Sequence, residues 1–97
     1  MATYVFLVNY TQSGIESVKE SPKRLEGAKA LLRSLGCELK AFFLLLGRYD
    51  VMYIVEAPND EAIAKAALSL SSSGRIKTET IRAFTENEYR TLIGSLP

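Results

Sequence analysis

The segment GRYDVMY contains the side chains of this chain that are best suited to chemistry. Asp50 directly follows Tyr49, and Tyr53 comes three residues later. A carboxylate beside aromatic residues can serve as an acid, a base or a hydrogen-bond acceptor, while tyrosines can line the wall of a small-molecule pocket. Asp50 is therefore the candidate catalytic residue. The alternative is that Asp50 only accepts hydrogen bonds from backbone amides of a turn.

Cations and hydroxyls near the ends of predicted elements extend the candidate site. Lys19 or Arg24 could meet an anionic group of a ligand, and Thr80 and Arg82 share one face of the predicted last strand. Each has a simpler alternative. The lysine and the arginines could be solvated or ion-paired surface groups, and the threonine could form a cross-strand pair.

Several kinds of site are excluded by composition. The chain has no histidine and one cysteine, Cys37. It therefore cannot form a Ser-His-Asp triad, a histidine-ligated haem site, a histidine-bearing zinc site or a thiolate cluster. No glycine-rich phosphate loop is present. We expect no metal and no cofactor, and we expect Cys37 to be a small apolar filler.

Length and charge are those of one ordinary domain spanning residues 1–97. Hydrophobic residues make up 47%, charged residues 24%, and the net charge is +1, so neither disorder nor a polyanion-seeking surface is indicated. The longest apolar run is far shorter than a membrane span, and the N-terminus lacks the features of a signal peptide. We expect a cytoplasmic protein that binds no membrane. We also expect no nucleic-acid binding. Val51 stands where the strand of an RNA-recognition module needs a stacking aromatic residue, and Asp50 places a negative charge where phosphate would approach.

Apolar periodicity and capping signals predict the order strand, helix, strand, strand, helix, strand. The first strand spans 3–10, and a helix follows from a Ser13–Glu16 capping box to about Leu35, with an irregularity at 20–22. Strands at 38–46 and 50–56 are joined by a two-residue turn at Gly47–Arg48. A helix from Asn59 or Asp60 to Gly74, an edge strand at 75–84 and a short helix at about 86–94, begun by Thr85 and Glu88, complete the chain. This order is typical of the α+β, ferredoxin-like βαββαβ fold, with an antiparallel four-stranded sheet and both helices on one face.

The strands do not alternate as a sheet with one wet face should. Val5 and Leu7 are apolar although they point away from the face of Tyr4, Phe6 and Val8, because neighbours on a strand point to opposite faces. A second copy of the chain is the simplest cover for the second face, which predicts a homodimer or higher homo-oligomer. The C-terminal turn or a different protein are the alternatives.

Three segments together resemble the GYD-domain family: YTQSGIESVKESPKR, GRYDVMYIVEAPNDEA and GRIKTETIRAFTENEY. The family pattern falls on Thr11, Gly14, Lys19, Pro22, Arg24, Gly47, Tyr49, Asp50, Thr78, Thr80 and Arg82, which adds Thr11 to the candidate ligand-binding residues. Arg48 lies between Gly47 and Tyr49, where the name-giving tripeptide has no residue. The resemblance implies a dimeric α/β barrel, in which two sheets pair face to face, and implies little about activity.

Two functions are consistent with these observations. The first is a dimeric small-molecule-binding protein, with the possibility of cofactor-independent oxygenase-like or isomerase-like chemistry in a dry pocket. The second is a non-catalytic ligand-sensing or oligomerisation module. Whether the protein is an enzyme stays open at this point.

Overall fold

Four strands and four helices follow one another in the computed structural model, which describes all of residues 1–97. They are β1 (Ala2–Tyr10), α1 (Gln12–Glu16), α2 (Ser21–Ser34), β2 (Glu38–Leu44), β3 (Val51–Ala57), α3 (Asp60–Ser71), β4 (Ile76–Ala83) and α4 (Glu86–Gly94). The strands form one antiparallel sheet in the order β2-β3-β1-β4. The predicted ferredoxin-like arrangement is confirmed. None of the helices combines the length and the apolar character that crossing a bilayer requires.

The first helical region differs from its prediction at the N-cap. The capping residue is Thr11, whose hydroxyl accepts the Gly14 N–H at 3.2 Å, and Ser13 lies inside the helix. The Ser13–Glu16 capping box is therefore wrong. Glu16 instead accepts a hydrogen bond from the side chain of Gln12, one turn earlier. The predicted irregularity is a single 3-10 turn at Val18–Glu20, directly before α2.

The connection between β2 and β3 is longer than the expected two-residue turn. β2 ends at Leu44 and β3 begins at Val51, so the strands are joined by residues 45–50. Asp50 closes this loop because its carbonyl accepts the Leu45 N–H at 2.8 Å, while its own N–H donates to Val8 of β1 at 2.9 Å. Its carboxylate accepts the Tyr10 N–H at 2.9 Å. Residues 46–49 make no backbone hydrogen bond, so the strands end before Gly47–Arg48 and the predicted two-residue turn is wrong.

The second half of the chain follows its capping signals. Asn59 caps α3 by accepting the Ala62 N–H at 2.9 Å, and the predicted inward residues Ile63 and Ala66 are buried. The capping box of Thr85 with Glu88 begins α4 as predicted. No residue of α4 is buried, so this helix is held mainly by its own backbone bonds and cap.

The core lies between the sheet and the two longer helices. Its strand residues alternate along β1 and β3, as period-two geometry requires, and its helix residues are small or aliphatic. The core consists of Tyr4, Phe6, Val8, Ala28, Leu32, Cys37, Val51, Tyr53, Val55, Ala57, Ile63 and Ala66. Phe6 and Tyr53 meet edge to face, with ring centroids 6.3 Å apart.

The opposite surface of the sheet has no cover within the chain. Strand register places apolar side chains from all four strands on it, here called the open face: Val5, Leu7, Ala41, Phe43, Met52, Ile54 and Ile81. Phe43 is 50% exposed, and the others are half-buried by their neighbours or exposed. The helices α2 and α3 pack on the other face of the sheet, and no residue of α4 is buried. The sheet therefore carries apolar side chains on both faces, as the sequence predicts, and the chain itself covers one of them.

Replacing Tyr4 by Phe is expected to lower the free energy of unfolding by about 1 kcal/mol, because the Tyr4 hydroxyl donates a hydrogen bond to Asp60. That bond is the main reason why the pKa of Tyr4 lies above its usual 10.0. The folded chain then keeps the proton to higher pH than the unfolded chain, so stability falls as pH rises above 10. Between pH 10 and higher pH, Tyr4→Phe should therefore lose less free energy of unfolding than wild type does, and urea unfolding at several pH values measures this difference. Tyr89→Phe on exposed α4 is the matched control, and equal pH profiles for wild type and Tyr4→Phe would contradict this role.

Replacing Asp50 by Ala is expected to cost on the order of 1 kcal/mol of stability, because the Tyr10 N–H loses its acceptor. Asp50→Asn retains an oxygen acceptor and should lose less. Urea unfolding measures both effects, and hydrogen exchange should be faster at the Tyr10 amide in the alanine variant alone. Unchanged exchange at that amide in Asp50→Ala would show that the contact is not stabilising.

Candidate ligand cavity

A cavity of about 580 Å³ lies between α2 and the helix-facing side of the sheet, near the end of β1 and the beginning of β4. Small residues of the helices leave this space. Gly27 and Ala28 of α2 stand opposite the sheet, and Ser69 and Ser73 close the end near α3. The complete lining is Val8, Tyr10, Ser21, Pro22, Arg24, Leu25, Gly27, Ala28, Leu31, Phe42, Leu44, Val51, Tyr53, Ser69, Leu70, Ser73, Arg75 and Ile76.

Tyr53 brings a polar group to a mostly apolar wall. The residue is 7% exposed, and its hydroxyl makes no hydrogen bond within the chain. Every fully enclosed side-chain nitrogen or oxygen in the chain has a hydrogen-bond partner. The Tyr53 hydroxyl has none, so it is not fully enclosed, and it is reachable from the cavity that the residue lines. Burial raises the pKa of Tyr53, Tyr10 raises it further, and Arg24 lowers it. The hydroxyl is therefore protonated at neutral pH and available as a hydrogen-bond donor.

Arg24 joins the cavity to the first helical region. Its guanidinium donates to the Ser17 carbonyl at 3.1 Å, to the Ser17 hydroxyl at 3.2 Å and to the Gly14 carbonyl at 3.4 Å. These acceptors include the free carbonyl end of α1, which a cation stabilises. All of them are neutral, and none of the ion pairs in the chain involves this half-buried arginine.

Arg75 lies at the cavity where the α3–β4 loop meets the start of α1. Its carbonyl accepts the Thr11 N–H at 3.0 Å, and the Thr11 hydroxyl donates to the Gly74 carbonyl at 2.7 Å. The approach is so close that a Cβ atom on Gly14 would overlap the Arg75 carbonyl. The backbone of Arg75 is thus anchored, while its guanidinium, on an exposed residue, makes no hydrogen bond or ion pair within the chain.

Of the eight candidate site residues, Arg24 and Tyr53 line the cavity and six do not. Thr11 caps α1 beside it, Lys19 is exposed on the 3-10 turn, and Asp50 bonds to the backbone of β1 without reaching the lining. Tyr49 donates a 2.5 Å hydrogen bond to Glu79 of β4. The Asp50 carboxylate and the cavity are therefore separate features.

The two remaining candidates lie on β4 near the other end of the sheet. Thr80 is exposed opposite Phe6. Arg82 stacks its guanidinium 4.3 Å from the ring centroid of Phe84 and donates to the Thr3 carbonyl at 3.2 Å. Both lie on the same face of β4 as Ile76 but further along the strand, and the cavity borders β4 only at Ile76.

Sequence reasoning missed several lining residues. Tyr10 could have been found, since alternation along β1 places it on the same face as Phe6 and Val8. Phe42 and Leu44 likewise share a face with Tyr53 and Val51, their partners on β3. Arg75 gave no sequence signal, because only tertiary packing of its loop against α1 brings it to the cavity.

The lining is suited to binding an organic molecule. Aliphatic and aromatic side chains cover most of the wall, and the polar groups are hydroxyls and two guanidinium groups. No carboxylate, thiol or imidazole lines it. Cys37 lies in the core, where burial raises the pKa of its thiol. No three His, Cys, Asp or Glu side chains come together as metal ligands would.

Comparisons with known proteins agree with this fold. The chain is 36% identical over 84 residues to the "Glutamine synthetase and cystathionine beta-lyase binding protein" of Thermus thermophilus, covering 86% of this chain and 88% of that protein. Its fold is similar to the crystal structure of FFRP-DM1, with a TM-score of 0.60, 18% identity and coverage of 87% of this chain and 100% of the other. It is also similar to At3g17210 of Arabidopsis thaliana, with a TM-score of 0.61, 16% identity and coverage of 88% and 95%.

Both structural likenesses are distant in sequence and bear on the fold alone. The family match is more specific. Residues 4–93 match the family described as the GYD domain. The matched segment includes α1, the loop that precedes β3, and the strand β4. The chain therefore belongs to the GYD-domain family.

Proposed function

We propose that this protein binds a small organic molecule in the cavity beside α2, acts as a homodimer, and releases its ligand unchanged. The observation that carries the proposal is the Tyr53 hydroxyl, which faces the cavity without a partner in the chain. A pocket that fixes its ligand by a few polar groups within an apolar wall is typical of small-molecule sites. The cavity volume of about 580 Å³ lies within the usual range for such sites.

Binding is favoured over turnover by the chemistry of the lining. Asp50, the candidate acid or base, is hydrogen-bonded to the Tyr10 amide outside the cavity. General acid–base catalysis needs a titratable group within hydrogen-bond reach of the reacting atoms. Tyr53 is the group in place, and its raised pKa makes it a donor rather than a base at neutral pH. An oxygenase-like or isomerase-like reaction through Asp50 therefore has no support in this geometry.

Homodimer formation is supported by the open face. Contiguous apolar side chains cross four strands on this face, and an exposed apolar patch with a polar rim commonly marks a protein interface. Charged residues lie at its borders, with Glu56 on β3 and Lys77 and Glu79 on β4. An apolar centre with a polar rim is the usual composition of a protein interface. A second copy of the chain, packed face to face, would complete the dimeric α/β barrel expected from the family.

A second candidate function is protein binding. The Thermus thermophilus relative is named for binding glutamine synthetase and cystathionine beta-lyase. In this chain α4 carries an exposed apolar stripe of Tyr89, Leu92 and Ile93, and none of its residues is buried. In this proposal a partner enzyme docks on α4 while the sheet faces pair with each other.

Replacing Tyr53 by Phe is expected to weaken the binding of naphthamide, a neutral aromatic amide, by roughly fivefold. The reason is that the Tyr53 hydroxyl donates to the amide carbonyl, while the ring and the apolar wall are unchanged. Isothermal titration calorimetry gives the affinities. Tyr49→Phe, which removes a hydroxyl outside the cavity, is the matched control. Equal affinity for wild type and Tyr53→Phe would refute the role of this hydroxyl, and no binding by either would refute the site.

Replacing Ile54 by Lys on the open face is expected to convert a dimer to a monomer, because it places a charge in the centre of an apolar interface. Sedimentation velocity at micromolar protein concentration measures the assembly state. Ala30→Lys on the exposed side of α2 is the control and should stay dimeric. A monomeric wild type, or a dimeric Ile54→Lys, would show that a second copy does not cover this face.

A further inference from the structure

We infer that the ligand of the cavity is an organic monocarboxylate with an apolar or aromatic body, whose carboxylate is held by Arg75 and further attracted by Arg24. This inference rests on the proposed small-molecule function and deepens it by naming the ligand class. It is carried by the charges that line the cavity, by the anchoring of Arg75, and by the apolar character of the remaining wall.

The charges of the lining are all of one sign. Arg24 and Arg75 are its charged residues, and no aspartate or glutamate accompanies them. The acidic partners in the ion pairs of the chain are Glu26, Glu38, Glu56 and Glu86, and all of these pair with other cations. Arg24 is half-buried and has no carboxylate partner, and the short helix α1 offers it only the partial negative charge of its carbonyl end. An anion in the cavity would supply the missing counter-charge to Arg24.

Arg75 is the better placed of the two to make direct contact. Its N–H donates to the Ser73 hydroxyl at 3.3 Å and its carbonyl accepts the Thr11 N–H, so the base of the side chain is fixed on both sides. The guanidinium itself has no partner in the chain. A planar fork of donors matches the two oxygens of a carboxylate, and less entropy is lost when the base of the side chain is held beforehand.

The rest of the wall requires that most of the ligand be apolar. Leu25 and Leu31 of α2 and Ile76 of β4 form aliphatic surfaces, and the rings of Phe42 and Tyr53 lie with centroids 5.5 Å apart. A flat ring system or a short hydrocarbon chain would bury its surface against these groups. The Tyr53 hydroxyl can donate to the same carboxylate or to a second oxygen of the ligand.

Doubly charged phosphate esters fit this cavity less well. Protein sites for phosphate commonly offer several backbone N–H groups from a glycine-rich loop or a helix N-terminus, and the lining here is mostly side-chain hydrocarbon. Arg24 already donates to three oxygens, so Arg75 alone offers an unused planar fork of donors, which the two oxygens of a carboxylate match. The geometry therefore points to a monocarboxylate.

The test compares naphthoate, naphthamide and naphthylmethylammonium, which share one aromatic body and differ in charge. Calorimetry on the intact chain should show naphthoate binding at least about tenfold more tightly than naphthamide, and no detectable binding of the ammonium compound. Arg75→Gln should reduce the affinity for naphthoate to that for naphthamide and leave naphthamide binding unchanged. Because only backbone atoms of Arg75 support the loop, the variant should keep the melting temperature of wild type.

Two controls separate the possible outcomes. Arg33→Gln removes an exposed guanidinium at the other end of α2 and should leave all three affinities unchanged. Leu31→Trp fills the cavity and should weaken the binding of naphthoate and of naphthamide alike.

Equal affinity of wild type for naphthoate and naphthamide would overturn the carboxylate assignment while leaving the cavity function intact. Failure of both compounds to bind wild type would overturn the proposed function itself. Unchanged naphthoate affinity in Arg75→Gln would remove Arg75 from the site.

Discussion

The distribution of apolar side chains over two faces of one thin sheet is the constraint on which the rest of this structure depends. Strand geometry sends neighbouring residues to opposite sides, so a run such as YVFLV cannot be buried by a single layer of helices. Here α2 and α3 bury one side, which becomes the core. The other side remains apolar and open. Core, cavity and exposed surface all follow from which face each residue occupies.

The cavity arises where the helix layer is incomplete. Over β1 and β3 the larger helix residues, such as Leu32 and Ile63, fill the space against the sheet. Nearer the end of β1, α2 presents Gly27 and Ala28, which are too small to reach it. Arg24 lies at this end and also holds the carbonyl end of α1. The cavity therefore shares a structural support with the joint between the first two helices, and a ligand that shifts Arg24 would also disturb that joint.

Local signals predicted the elements well, whereas contacts between distant residues decided the site. Caps at Asn59 and Thr85 depend on residues three positions away, and alternation along a strand assigns its faces, so both can be derived from the sequence. The cap at Thr11 was missed because Ser13 and Glu16 have the same spacing as a true capping box. Arg75 could not be predicted, since its position depends on hydrogen bonds to Thr11 across the fold.

Asp50 has a consequence for how the chain folds. Where a strand has one apolar and one polar face, a slip of one residue exposes the core, and this penalty selects the correct pairing. β1 and β3 are apolar on both faces, so that selection is weak for them. The N–H of Asp50 donates to the Val8 carbonyl and its carboxylate accepts the Tyr10 N–H, so a slip of β3 along β1 would break both native bonds. Asp50 thus favours the native alignment where the hydrophobic pattern of these strands does not, and its loss would favour mispaired, aggregation-prone sheets.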